Sequence, residues 1–186
     1  MIPHDSPTDG SIFLRAMEPE DLELLYTIEN DSSLWDVGTN RSFFSRFALR
    51  QYLSEQPTDI FQSGDLRLTI CRRTDGRAVG LVDLTGFNPI DSRAEVGIAL
   101  LREARGMRYG TEAIARLEQF ATGQLRLHQL YAYISKENNP VCRQLFLSAG
   151  YQEIAILPEW HFLRDDYEDV SLFQKIFEKK RRKICE

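Results

Sequence analysis

Between residues 102 and 111 the chain reads Arg-Glu-Ala-Arg-Gly-Met-Arg-Tyr-Gly-Thr, which puts Arg102, Arg105 and Arg108 around Gly106 and Gly110. Ala113, Ile114, Leu117, Phe120 and Ala121 follow with the spacing of one buried helical face. A glycine-bearing loop that feeds a helix N-terminus exposes unpaired N–H groups at the positive end of the helix dipole, which suits a phosphate or pyrophosphate. The stretch also suits an ordinary turn, and it matches neither the Walker loop nor the dinucleotide fingerprint. Glu95 is the other position of chemical interest, the lone acid in the apolar run 94–101. Left to itself it reads either as a buried acid–base group or as a strand residue paired with Arg93 or another arginine.

The elements that must position these residues follow from periodicity. Residues 11–17 read as a strand, and Pro19-Glu20-Asp21 opens a helix that uses Leu22, Leu25, Tyr26 and Ile28 and stops near Asn30. A second helix is expected from Phe43 through Tyr52, ending before Pro57. Leu66, Leu68 and Ile70 alternate as in a half-buried strand, and Thr74-Asp75-Gly76 predicts a type I′ hairpin. Strands over 78–87 and 94–101 complete an antiparallel meander. The long helix after the glycine loop leads to a strand at 128–135, a helix at 140–148 and two final strands at 152–162 and 169–177. The pattern predicts a single α/β (α+β) domain spanning 1–186, with flexible tails at 1–10 and 179–186.

Composition narrows the function classes. The 186 residues are 42% apolar and 27% charged, which fits a soluble globular chain and excludes a collagen-like or disordered one. A chain of this size buries about 70% of its unfolded surface, so no metal or disulfide is needed for folding. The net charge of -5 disfavours nucleic acid as a partner. The basic run Lys179 to Lys183 reads as a solvated tail. No stretch is apolar enough for a membrane span. Cys71, Cys142 and Cys185 form neither a disulfide framework nor a zinc set, so a reducing cytoplasm is the expected setting.

Two segments in order carry a resemblance to the GCN5-related N-acetyltransferase (GNAT) family. Arg105-Gly106-Met107-Arg108-Tyr109-Gly110-Thr111 is similar to the Gln/Arg-x-x-Gly-x-Gly/Ala loop that binds the CoA pyrophosphate, with Arg108 where the middle glycine is usual. Asn139-Pro140-Val141-Cys142-Arg143-Gln144-Leu145-Phe146, followed by Gly150-Tyr151, is similar to the segment that lines the pantetheine arm through Asn139, Cys142 and Phe146. The resemblance covers roughly residues 11–178. Within the family, residues 81–101 and 166–169 look most like spermidine N-acetyltransferases, and they also resemble enzymes that acetylate ribosomal-protein N-termini. The resemblance implies the GNAT fold, a single mixed, mostly antiparallel sheet of about seven strands with helices on both faces. It also implies acetyl-CoA as cosubstrate with no metal, and a homodimer or higher homo-oligomer.

Direct acetyl transfer needs a neutral amine, a polarised carbonyl and contact between them. Glu95 is the expected base, acting through water, and the strand N–H groups around Ile98, Ala99 and Leu100 are implied to polarise the carbonyl. Relatives carry a tyrosine at position 146 that protonates the departing thiolate, and Phe146 cannot. Tyr131, Tyr133, Tyr151 and Cys142 are the substitutes considered, with water as an alternative. For the acceptor, Trp35, Asp36 and Asp83 are the expected contacts of a polyamine or similar small amine. Asp31, Asp165, Asp166, Glu168 and Asp169 are further acids that either bind ammonium groups or simply face solvent. Residues 38–42 carry Arg41 and no acid, and Trp35, Phe43, Phe44 and Trp160 read as core aromatics or as a cleft for a protein N-terminus. A CoA-binding module without catalysis is the third reading.

Overall fold

A computed structural model describes residues 10–35, 42–55, 59–163 and 165–178. Apart from Gly10, the expected tails lie outside these residues, as do the basic run at 179–183, Cys185, Asp36, residues 38–41 and the side chain of Trp35. The strands are β1 (Ile12–Ala16), β2 (Leu66–Arg72), β3 (Ala78–Asn88), β4 (Arg93–Leu100), β5 (Gln129–Ser135), β6 (Gln152–Leu163) and β7 (Asp166–Ile176). The helices are α1 (Leu22–Glu29), the single turn α2 (Ser32–Trp35), α3 (Arg46–Glu55), the single turn α4 (Ile60–Ser63), α5 (Tyr109–Gly123) and α6 (Pro140–Ser148). All strands join one sheet of order β1-β2-β3-β4-β5-β7-β6. Every pairing is antiparallel except β4 with β5.

Strand alternation sends successive side chains of β3 to opposite faces, and each face has its own core. Val82 and Leu84 pack with Ala113, Ile114 and Leu117 of α5 and with Phe146 of α6. Leu81 packs with Leu24, Leu25 and Ile28 of α1 and Leu49 of α3. Helices therefore cover both faces, as expected for the fold. Parallel pairing of β4 and β5 spans only Arg93–Gln129, Ala94–Leu130 and Glu95–Tyr131, after which the strands part. That split in the middle of the sheet is where a ligand finds unpaired strand backbone.

Three local expectations change. The turn after β2 has only Gly76 at positive φ (70°), and Gly76 N–H bonds Arg72 C=O at 2.8 Å. A type I′ turn needs two left-handed residues, and Asp75 is not one of them, so the loop is longer than a two-residue hairpin. The second helix starts at Arg46, because Ser45 Oγ accepts Ala48 N–H and caps it there. β7 begins at Asp166, three residues earlier than its apolar pattern suggests.

Candidate active site

The split opens into a cleft of about 560 Å³ whose walls include Glu29, Arg67, Asp83, Thr85, Glu95, Ile98, Ala99, Tyr133, Asn139, Cys142, Phe146, Trp160 and His161. Register places Glu95 in one row with Thr85 and Tyr131, and Asp83 in the next row with Arg67 and Gly97. Alternation then puts Glu95, Asp83 and Arg67 on the α1 face of the sheet. Burial alone raises the Glu95 pKa above the usual carboxylate range. The expected alternative partner Arg93 instead meets Asp91 at 3.3 Å, and no ion pair to Glu95 occurs among the described residues.

Asp83 is held differently. Arg67 Nε and Nη2 each donate to one of its oxygens at 3.0 Å, and Arg67 Nη1 reaches Glu29 at 2.8 Å. Burial pushes the Asp83 pKa up, against the opposing pull of Arg67. Glu29 and Asp83 thus share the Arg67 guanidinium, and with Glu95 the cleft wall carries an excess of acid among the described residues. Glu29 and Arg67 were not legible as site residues in the sequence. Arg67 reads there only as a polar position of an alternating strand.

The backbone of β4 supplies donors. Leu101 N–H bonds Val79 C=O on the β3 side, so alternation turns the N–H groups of Ile98 and Leu100 toward the split. Leu100 C=O on that side accepts from Arg105 Nε at 3.1 Å. The loop before α5 then holds Gly106 at φ 79° and Arg108 at φ 63°. Left-handed residues in a turn leading into a helix aim successive N–H groups into a concavity that favours anions. A Cβ at Gly106 would meet nothing within 4 Å, so the loop is open there. No side chain caps α5, which leaves the first-turn N–H groups of Tyr109, Gly110 and Thr111 available. Gly110 has a second role, since a Cβ there would lie 3.2 Å from Leu145 of α6. Met107 and Arg108 are exposed on the loop, and Thr111 is exposed in the first turn of α5.

Two loop arginines are anchored rather than open. Arg102 Nε and Nη2 bond Asp31 at 3.3 and 3.1 Å, and Arg105 Nη2 approaches it at 3.9 Å. Arg102 holds the Asp31 pKa down at about 2. Asp31 therefore fastens the loop to the end of α1 and is not an ammonium contact. On α6, Asn139 Oδ1 accepts Cys142 N–H at 3.1 Å and caps the helix. Burial lifts the Cys142 thiol to about 12, so it is no thiolate nucleophile.

Phe146 is 1% exposed and packs edge-on against Tyr151, with ring centroids 4.8 Å apart. Tyr151 lies beside Glu118, and burial raises its pKa. Trp160 is 60% exposed at the cleft mouth and stacks on Tyr133 at 6.2 Å. Phe43 is also exposed, whereas Phe44 packs against the α1–α3 core. His161 was not singled out in the sequence. Its Nδ1 lies 2.7 Å from Glu168 Oε1, while Ser135 Oγ and Asn138 Nδ2 donate to the other Glu168 oxygen at 2.7 and 2.6 Å. Burial opposes the Glu168 charge, but these hydrogen bonds hold its pKa below the usual range.

Residues 11–151 match the model of the acetyltransferase (GNAT) domain. The chain belongs to the GNAT acetyltransferase family. It is an acetyl-CoA-dependent enzyme, and its split sheet and open α5 N-terminus have the donors such a cosubstrate needs. A spermidine N(1)-acetyltransferase from Escherichia coli K12 is 24% identical over 163 residues, covering 88% of this chain and 84% of that protein. The crystal structure of a Vibrio cholerae spermidine N-acetyltransferase in complex with CoA and spermine superposes with a TM-score of 0.81 at 24% identity, over 90% of this chain and 96% of that one. A dodecameric structure of spermidine N-acetyltransferase from the same organism gives 0.76 at 24% identity, over 90% and 95%. The GNAT fold expected from the motifs is the fold observed.

Proposed function

We propose that this GNAT enzyme moves the acetyl group of acetyl-CoA directly to a primary amine of a polyamine or similar small polycation. The acidic cleft wall carries this reading: among the described residues that line it, Glu29, Asp83 and Glu95 outnumber Arg67, which pairs with the first two. A cation with several ammonium groups matches that excess in a partly desolvated cleft. The names of the similar proteins support the same acceptor class.

Residues 105–111 hold the pyrophosphate, through the N–H groups of Gly106, Met107, Tyr109, Gly110 and Thr111 and the charges of Arg105 and Arg108. Asn139, Cys142 and Phe146 line the pantetheine arm. Ile98 and Leu100 N–H polarise the thioester oxygen, with Ala99 between them on the cleft wall. Glu95, deprotonated, draws a proton from the ammonium through water so that a neutral amine attacks. Its raised pKa makes it a better base than an exposed carboxylate. Asp83, held by Arg67, orients a second ammonium together with Glu29. Trp35 and Asp36 complete the acceptor contacts in this reading.

The reading includes a homodimer or higher homo-oligomer, supported by exposed Ile154 and Ile156 on the edge strand β6 and by the dodecameric relative. A cytoplasmic setting is supported by the free thiols Cys71 and Cys142. Among the described residues, no helix is long and apolar enough to cross a membrane. The acceptor is tested by comparing spermidine with butylamine under saturating acetyl-CoA. A KM at least about tenfold lower for spermidine is expected, equivalent to about 1.4 kcal/mol from the second ammonium contact. Equal KM values would contradict it.

A further inference from the structure

We infer that Lys175 of β7 is a positioning residue for acetyl-CoA, its ammonium setting the relative orientation of the two cosubstrate helices, α5 and α6. This role rests on the pyrophosphate lying at the N-terminus of α5 and the pantetheine arm along α6, and not on which amine is acetylated.

Every second residue of a strand shares a face, so the inward row of the chain here runs Phe173, Lys175, Phe177. Phe173 is fully buried and Phe177 packs against the same core. A lysine in that row gives up solvent for an ion pair, which contributes little stability compared with an apolar side chain of similar size. What it supplies is direction. Nζ donates to Glu118 Oε2 on α5 at 2.7 Å and to the C=O of Ala149, the C-cap of α6, at 2.6 Å. That carbonyl is among the last of α6, which have no helical donor, and a cation also suits the negative end of the helix dipole. The chain turns away at once through Gly150 at φ 87°, where a Cβ would lie 3.7 Å from Lys175 Cε. Nζ also lies 5.6 Å from the centre of the Tyr151 ring, and Tyr151 in turn packs edge-on against Phe146. The ammonium therefore touches α5, the end of α6 and the ring that backs Phe146.

The N-terminal part of α5 already meets α6 closely, since a Cβ on Gly110 would lie 3.2 Å from Leu145. One contact lets a helix pivot. The Lys175 bridge adds a second tie about 12 Å further along α5 and about 6 Å further along α6, at the helical rise of roughly 1.5 Å per residue. CoA extends from one helix to the other, so its affinity depends on their relative setting. A ligand held by α5 alone does not share that dependence. Presetting the two halves of the groove removes an ordering cost from binding.

The test uses the full chain and calorimetry with two probes. CoA spans both helices, whereas ADP carries a diphosphate and no pantetheine arm. Lys175→Met alone strands the Glu118 charge, so it is paired with Glu118→Gln, which removes both charges at nearly constant volume. The paired variant should bind CoA about tenfold more weakly, the size of one charged hydrogen bond lost, and bind ADP within about twofold of wild type. Lys175→Arg keeps a cation with donors for both partners and should retain CoA affinity within about threefold. A general loosening of the fold would weaken both probes alike and would not spare the arginine variant. Unchanged CoA affinity in the paired variant, or equal losses for CoA and ADP, would overturn this role alone. Wild-type protein that binds CoA but not ADP would overturn the placement of the pyrophosphate on α5, and this role with it.

Discussion

Burial raises the Glu95 pKa, so the folded chain holds that carboxylate charged at a cost in stability. A raised folded pKa contributes stability below the unfolded value of about 4.3, and that contribution is lost as pH rises through the folded value. Glu95→Gln should therefore melt higher than wild type near neutral pH and show no such gain at pH 4, by calorimetry. The same variant should lose about 10²-fold in kcat together with the acid limb of the profile. Arg108 is a second residue in a costly state. Its φ of 63° costs an L-residue about 1–2 kcal/mol, and glycine avoids that cost. Arg108→Gly should raise the melting temperature by about 2–4 °C per kcal/mol relieved while increasing the KM for acetyl-CoA severalfold through the lost charge.

At the scale of elements, one carboxylate connects the acceptor and cosubstrate sides. Asp31 follows α1, and its bonds to Arg102 fasten the turn that leads to α5. Its depressed pKa contributes stability above the unfolded value of about 3.9 that is lost as pH falls toward 2. Asp31→Asn should cost about 1 kcal/mol in urea unfolding after solvent screening of Arg102, and raise the KM for acetyl-CoA more than that for the amine. Most elements were legible because their apolar residues keep a clear period, as in Leu66, Leu68 and Ile70 of β2 or Ala113, Ile114 and Leu117 of α5. The loop at 105–111 and Asn139 were legible as motifs, although Asn139 also serves as a helix cap and Gly110 as a packing contact. His161 was hidden because the bulge at Pro158–Glu159 shifts the alternation of β6. Glu29 and Arg67 were hidden because their pairing joins α1, β2 and β3, distant in sequence.

For the whole molecule, function follows from one interruption of an otherwise continuous sheet. Where β4 and β5 part, unpaired strand backbone, a helix N-terminus and an acidic wall converge. The net charge of -5 works in the same direction, since an acidic protein attracts a polycation over distance and does so less at high salt. Free-thiol release from acetyl-CoA, followed with spermidine, spermine, amino acids and short peptides as separate acceptors, tests acetyl transfer to a polyamine most directly. The account predicts saturable release with the polyamines and little with the rest. Release with peptides alone, or none from a protein that still binds CoA by calorimetry, would contradict it.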